Sequence, residues 1–314
     1  MTTTKTPTKI IELASTQGFC AGVSNAIEIV ELALQKYKTP LFVRHHIVHN
    51  TKVIKDLEAR GVIFIENLSD VPDNKPVIFS AHGTSPEIYT EAKKRNIHII
   101  DATCPLVTKV HRGADSYSKK NYHIILIGHK GHQELIGTAG HIPKNKRHII
   151  ECIEDIEKLN IPSNEPLAYL TQTTLSIRDT MGMIQKLKQK YPHIQGPSKS
   201  DICFATQNRQ DAVLDLCERC DIIIVCGSPA SSNSNRLKEC AQEKNVESYI
   251  IDNAEELKLS WLINKSHIGI TSGASVPQSI VNNVIDKIKK EWPSITIIQK
   301  KSKEKNTKFK LPPI

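Results

Sequence analysis

LFVRHHIVHNTKVIKDLEARGVIFIENLSDVPDNKPVIFSAHGTSPEIYTEAKKRNIHIIDATC, residues 41–104, decides the fold. Its apolar runs LFVRHH, VIFIE, PVIFSAHG and IHIIDATC are short, rich in β-branched residues and bounded by turn residues, so they read as strands. TKVIKDLEARG and SPEIYTEAKKRN, lying between them, space their apolar residues as helices do. The alternation continues outward. KIIELAS precedes this stretch, and YHIILIGH, LAYLTQTT, DIIIVCGS, ESYIID and SHIGITSG follow it as further strands. SNAIEIVELALQKY, TQNRQDAVLDLCERC, SNSNRLKECAQEK and SVPQSIVNNVIDKIKK supply more helices. Strand, helix, strand in this order predicts parallel sheets covered by helices, an α/β protein. Loops are short and no Pro/Gly-rich linker intervenes, so the domains are expected to pack together.

A length of 314 residues suits two domains or three small ones. With 39% hydrophobic and 24% charged residues the chain is neither disordered nor fibrous. No apolar run approaches the roughly 20 residues of a membrane span, and MTTTKTPTK has no apolar segment behind its lysines. A soluble, cytoplasmic protein is expected. Aromatic residues are 5%, which argues against a stacking platform for nucleic acid. The net charge of +9 sits mostly in KKSKEKNTKFK (300–310) together with Lys5 and Lys9, and such ends read as solvated tails.

Eight cysteines in a long chain with no secretory signature do not suggest disulfides. GFCAGV, DATCPLV and DICFATQ each place a cysteine (Cys20, Cys104, Cys203) after a strand and before a helix, a faint threefold repeat. Thiolates at helix starts are stabilised by exposed N–H groups. Three sulfurs suit an iron–sulfur cluster with one open iron, a zinc with an open position, or three unrelated buried cysteines. Cys152, Cys217, Cys220, Cys226 and Cys240 fall inside strand or helix patterns, and the Cys217/Cys220 pair reads as helix cysteines.

Histidines sharpen the picture. His49, His82 and His132 sit in polar strand ends (HIVHNT, SAHGTS, GHKGHQE) and read as the lining of a site. His45, His46 and His129 read as supporting or surface residues. TQTTLS (171–176), SSNSN (231–235) and TSGAS (271–275) also follow strands and open helices. Each could be an ordinary cap, but several facing one cavity would bind an anion. Without a Walker loop or GxGxxG fingerprint, the anion is more simply a diphosphate or carboxylate on a small substrate. Glu134, two residues after His132, is placed to donate a proton if burial raises its pKa.

Taken together and in order, GFCAGV, VRHHIVHN, FSAHG, DATCPLVTKVH, GHKGH, TQTTLS, ICFATQNRQ, SSNSNRL and TSGASVP resemble the 4-hydroxy-3-methylbut-2-enyl diphosphate reductase family over about residues 12 to 290. The resemblance implies three small α/β domains around a pseudo-threefold axis. It divides the chain into an N-terminal strand with the first cysteine (1–21, packing on the third domain), domains 22–104, 105–202 and 203–290, and a C-terminal strand and basic tail (291–314). It implies a central 4Fe–4S cluster on Cys20, Cys104 and Cys203. The diphosphate would be held by His49, His82, Ser231, Asn233 and Ser275, with Ser232 and His132 nearby. Thr173 would meet the substrate hydroxyl region and Glu134 would deliver protons. The implied reaction is reductive dehydroxylation of the allylic diphosphate to isopentenyl and dimethylallyl diphosphates. A ferredoxin- or flavodoxin-type protein would supply the electrons, with no specific nucleic acid or membrane partner. The chain departs from the family at Gln133, where Pro is usual, and at LIGT in place of a VEGT-type segment.

Overall fold

A computed structural model describes residues 9–302, 304 and 307–314. Lys5, Lys303 and Lys305 of the charged ends lie outside them. The chain opens with β1 (Ile10–Leu13), α1 (Ala21–Tyr37), β2 (Leu41–Arg44), α2 (Thr51–Glu58) and β3 (Val62–Ile65). Next come β4 (Val77–Phe79), α3 (Pro86–Lys94), β5 (Ile99–Asp101), α4 (Pro105–Lys119) and β6 (His123–Ile127). The middle continues with α5 (Gln133–Ala139), β7 (Arg147–Ile150), α6 (Ile153–Lys158), β8 (Leu167–Thr171) and α7 (Ile177–Lys190). After these lie α8 (Phe204–Cys217), β9 (Ile222–Cys226), α9 (Ser232–Glu243), β10 (Glu247–Ile251), β11 (His267–Ser272), α10 (Gln278–Glu291) and β12 (Thr296–Gln299). The edge strand β7 and the short helix α6 escape the sequence reading: β7 has one fully buried residue, and α6 buries only Ile156 among its six.

Two compact units result. One comprises Met1–Cys20, His49–Val53 and Phe204–Thr307; the other comprises Ala21–Val48, Ile54–Cys203 and Lys308–Ile314. The first unit holds one five-stranded sheet in the order β10-β9-β11-β1-β12. The second holds a four-stranded sheet, β3-β2-β4-β5, and a three-stranded sheet, β7-β6-β8, extended by a bridge from Ala168 to Gln195. Every strand pair is parallel, the α/β architecture that the alternation implies. Central strands such as β9 are buried along their whole length, which is why they read as unbroken apolar runs. Burying each such Ile or Val contributes about 1.5–3 kcal/mol.

The three sheets repeat one winding, in which β2, β6 and β9 each lie between the next two strands of the chain. A side-chain detail repeats with it. Lys190, at the end of α7, donates to the carbonyls of Ile156, Glu157 and Leu159 at the end of α6. Lys287 of α10 does the same to Ala254, Glu255 and Leu257, and Arg95 does so after α3 to Leu68 and Val71. Each cation satisfies carbonyls that a short helical turn leaves unpaired.

Lys301, Lys308 and Lys310 of the charged ends are exposed, as a solvated tail requires, but Lys9 and Lys300 make contacts of their own. Lys9 is 9% exposed; its Nζ donates to the carbonyls of Leu262 (2.7 Å), Ile263 (2.8 Å) and Lys265 (2.5 Å) and lies 4.8 Å from the Trp292 ring centre. Burial lowers its pKa, against the opposing pull of Asp221. Lys300 pairs with Asp215 (2.7 Å) and Glu12 (3.4 Å). Both lysines serve the fold itself. No helix among the described residues is long and apolar enough to cross a membrane.

Candidate active site

In an open parallel sheet, ligands gather outside the carboxyl ends of the strands, where the winding reverses. In this chain those ends belong to β2 and β4, β6 and β8, and β9 and β11. His49 and His82 follow the first pair, His132 with Glu134 and Thr173 the second, and Ser231 to Asn233 and Ser275 the third. Cys20 and Cys104 follow β1 and β5 and immediately precede or cap α1 and α4, while Cys203 immediately precedes α8. All three are half-buried thiols.

Each cysteine is braced through its backbone. The N–H of Cys20 donates to Ala274 O (3.0 Å), that of Cys104 to Ala81 O (3.0 Å) and that of Cys203 to Thr173 O (3.1 Å). The braces are therefore loops that carry Ser275, His82 and Thr173 themselves. In the first unit the 272–275 loop is the organiser. Ser272 Oγ accepts from Gly18 N–H (2.7 Å), and Ser275 Oγ donates to His49 O (2.8 Å). Ser231 caps α9, its Oγ accepting from Ser234 N–H, and Ser232 opens the helix. A side chain at Gly227 or Gly273 would lie 2.3 or 2.1 Å from Ser234 Oγ, so both positions need glycine for α9 to approach β9 and β11. Asn233 is buried beside Gly273, and neither its Oδ1 nor its Nδ2 has a hydrogen-bond partner among the described residues.

In the second unit Glu134 is 3% exposed. Its Oε1 accepts from Thr173 N–H (2.6 Å) and its Oε2 from Thr173 Oγ1 (2.9 Å). Burial pushes its pKa up to about 7, with help from the Asp201 charge; the two bonds from Thr173 oppose the rise. His132 caps α5, and its Nδ1 accepts from Glu134 N–H (3.2 Å), which puts the neutral ring's proton on Nε2. Gln133, in place of the family's Pro, is simply the first residue of α5. The His82 and His132 rings meet edge to face with centroids 6.0 Å apart.

His82 stands on a turn that depends on Gly83. There φ is +83°, and a Cβ would lie 2.5 Å from His111 Cε1. His111 is itself buried, and burial with the neighbouring His141 pushes its pKa down to about 4, so it packs as a neutral ring. Gly83→Ala is expected to cost about 1–3 kcal/mol of stability. Chemical denaturation checks this, and an unchanged midpoint would refute the packing argument.

Several site-supporting residues escaped the sequence reading. Asp201 is buried; it accepts from Thr171 N–H (3.2 Å) and Lys109 Nζ (3.2 Å), and burial raises its pKa. Gln172 accepts from His129 N–H (3.1 Å). A signal existed: DATC and DIC both set an aspartate shortly before the cysteine, and Asp101 likewise accepts from Thr103 N–H and Tyr89 Oη.

The other cysteines differ from the braced three. α8 ends at Cys217, so Cys220 lies in the turn beyond the helix rather than in it, and Cys152 sits exposed just ahead of α6. Burial pushes the thiol pKa values of Cys217 and Cys220 up to about 11 and about 12, so both stay protonated at neutral pH. Among the described residues one trio of ligand-type atoms, from Glu12, Cys220 and His267, lies mutually within 4.8 Å. Glu12 already receives Arg219 (2.8 and 3.2 Å), His267 (3.0 Å) and Lys300. The Arg219 guanidinium and the Lys300 ammonium already balance that carboxylate, so its charge serves an ion-pair network.

The fold and these residues define an α/β protein of three parallel sheets, with three half-buried thiols ahead of helices and polar groups at the carboxyl ends of its strands. The chain belongs to the LytB protein family, whose model matches residues 11–289. It is 52% identical over 278 residues to the 4-hydroxy-3-methylbut-2-enyl diphosphate reductase of Nitrosomonas europaea, covering 88% of this chain and 86% of that one. The Aliivibrio salmonicida protein of the same name is 49% identical over 304 residues, 96% of each chain. Among solved structures, the E-1-hydroxy-2-methyl-but-2-enyl-4-diphosphate reductase of Plasmodium falciparum aligns with a TM-score of 0.94 at 45% identity, covering 98% of this chain and 96% of that one.

Proposed function

We propose that this protein catalyses reductive dehydroxylation of 4-hydroxy-3-methylbut-2-enyl diphosphate. Two electrons and two protons convert the allylic alcohol to isopentenyl or dimethylallyl diphosphate plus water. The observation that carries this reading is the Glu134–Thr173–Cys203 connection: a buried carboxyl titrating near 7, held by the residue that braces a half-buried thiol. The names borne by relatives at about half identity support the same reading.

Cys20, Cys104 and Cys203 fit a 4Fe–4S cluster as its three thiolate ligands. They are half-buried soft donors at helix starts. When bound, such a cluster with one open iron supplies Lewis acidity toward the C–O bond and passes electrons singly. The protein's own groups do the rest. Asn233, buried with both amide atoms unpartnered among the described residues, suits a diphosphate oxygen and a P–O–H or water donor. His49, His82, Ser231 and Ser275 join it in holding the diphosphate, with Ser232 and His132 alongside. His132 presents Nε2–H, a donor for phosphate oxygen. Glu134 Oε1 must stay an acceptor, because the Thr173 N–H can only donate. The acidic proton therefore resides on Oε2, where Thr173 Oγ1 can take it and pass its own hydroxyl proton toward the departing oxygen.

The division into domains 22–104, 105–202 and 203–290 belongs to this reading, as do a cytoplasmic location and a ferredoxin- or flavodoxin-type electron donor. The test is anaerobic purification with iron and sulfide counts, followed by turnover of the allylic diphosphate with a chemical reductant. About four irons per chain and formation of both products are expected. A fully loaded protein that leaves the diphosphate unchanged would overturn the assignment.

A further inference from the structure

Arg209 of α8 is fully buried, an uncommon setting for a guanidinium. Its Nη2 donates to Gly18 O (2.7 Å), two residues before Cys20. Its Nη1 donates to Ala205 O (2.9 Å), two residues after Cys203, and lies 3.4 Å from Oε1 of Glu304 in the C-terminal stretch. One planar fork thus ties together two backbone segments that adjoin candidate ligands, and a carboxylate balances its charge. The Gly18 turn is held from its other side too, by its N–H on Ser272 Oγ, and its φ of +79° is a conformation glycine favours. A buried cation whose counter-charge is removed is strongly destabilised, so Glu304 governs whether the fork stays in place.

We propose that Arg209 is a positioning residue that sets the turns bearing Cys20 and Cys203, and that Glu304 holds it in place as part of the ligand mount. This rests on the cluster reading above in one respect only, that these thiols are metal ligands. Cys104 is not touched by the fork; its brace is Ala81. The device therefore predicts an unequal effect on the three thiols.

The experiment alkylates cluster-free protein with iodoacetamide and follows each cysteine by mass spectrometry, in wild type, Glu304→Gln, Arg209→Lys and Arg209→Gln. In Glu304→Gln, Cys20 and Cys203 are expected to react about tenfold faster, the worth of one lost charge-assisted hydrogen bond, while Cys104 keeps its rate. Arg209→Lys keeps the charge but not the fork, and is expected to accelerate the same two. Adding Glu304→Gln to Arg209→Gln should change little more, since the pair acts as a unit. Equal rates in all variants overturn the proposal. So does a uniform acceleration that includes buried Cys226 and Cys240, which signals general loosening. Loaded Glu304→Gln should also surrender iron to a chelator faster than wild type. A wild-type protein that takes up no iron defeats the cluster reading, yet the alkylation pattern still decides whether the fork sets the two turns.

Discussion

Cys104→Ser is expected to hold almost no iron after anaerobic reconstitution and to lose measurable turnover, and Cys20→Ser and Cys203→Ser should behave alike. Serine is nearly isosteric with cysteine, so each backbone brace to Ala81, Ala274 or Thr173 is kept. What changes is the donor: a hydroxyl is a hard ligand, whereas a thiolate is the soft donor that iron–sulfur iron takes. Cys217→Ser serves as the control and should keep full iron, because burial pushes that thiol up to about 11 and leaves it protonated. Cys220→Ser should also keep its iron, while burial of its new hydroxyl costs about 1–3 kcal/mol of stability. Iron and sulfide counts decide the matter. A Cys217→Ser protein without iron beside an iron-replete Cys104→Ser protein would reverse the ligand assignment.

Glu134→Gln is expected to keep iron content and substrate affinity but lose about 100- to 10,000-fold in kcat. The amide keeps an oxygen to accept from Thr173 N–H, so the local structure survives, but it has no acidic proton to pass to Thr173 Oγ1. The loss should persist with a strong chemical reductant, which bypasses the protein electron donor. Single-turnover rates with pre-reduced enzyme are the measurement, and a wild-type rate would leave Glu134 a structural role. The same substitution has a signature in stability. The folded carboxyl holds its proton up to about pH 7, against an ordinary 4.5. Between those values the unfolded chain has released a proton that the folded chain retains, so stability falls as pH rises and levels off above about 7. The change is roughly 3 kcal/mol for a shift of this size. In Glu134→Gln that part of the pH dependence should vanish from denaturation midpoints.

The sequence disclosed most where the physics is local. DIIIVCGS announces β9 because a strand buried on both faces must be apolar throughout, and the cysteines of GFCAGV and DATCPLV stand between strand and helix, whereas that of DICFATQ precedes α8 but follows α7, with only the bridge residue Gln195 between them. Distance in the chain hid the rest. Nothing near Lys9 hints that its ammonium ends among carbonyls of residues 262–265, so a lysine close to a terminus read as solvated. Asp201 escapes notice because its importance lies in partners across the fold, Thr171 and Lys109. Glu134 was named from its place beside His132, but only the structure supplies the burial that moves its titration.

The braces on the three cysteines also bear on the order of events in making the protein. A CxxC pair can seize a metal while the chain is still unfolded, since its two sulfurs are never far apart. Cys20, Cys104 and Cys203 are separated by 84 and 99 residues, and each is held by a loop that follows a different strand. Closing two such long loops in an unfolded chain is entropically costly and nothing there repays it. A metal group on these thiols is thus captured by the finished fold alone, and its whole binding free energy appears as added stability of that fold. Maturation would run in one direction: the polypeptide folds empty and takes up its metal afterwards, and a chain that unfolds gives it up.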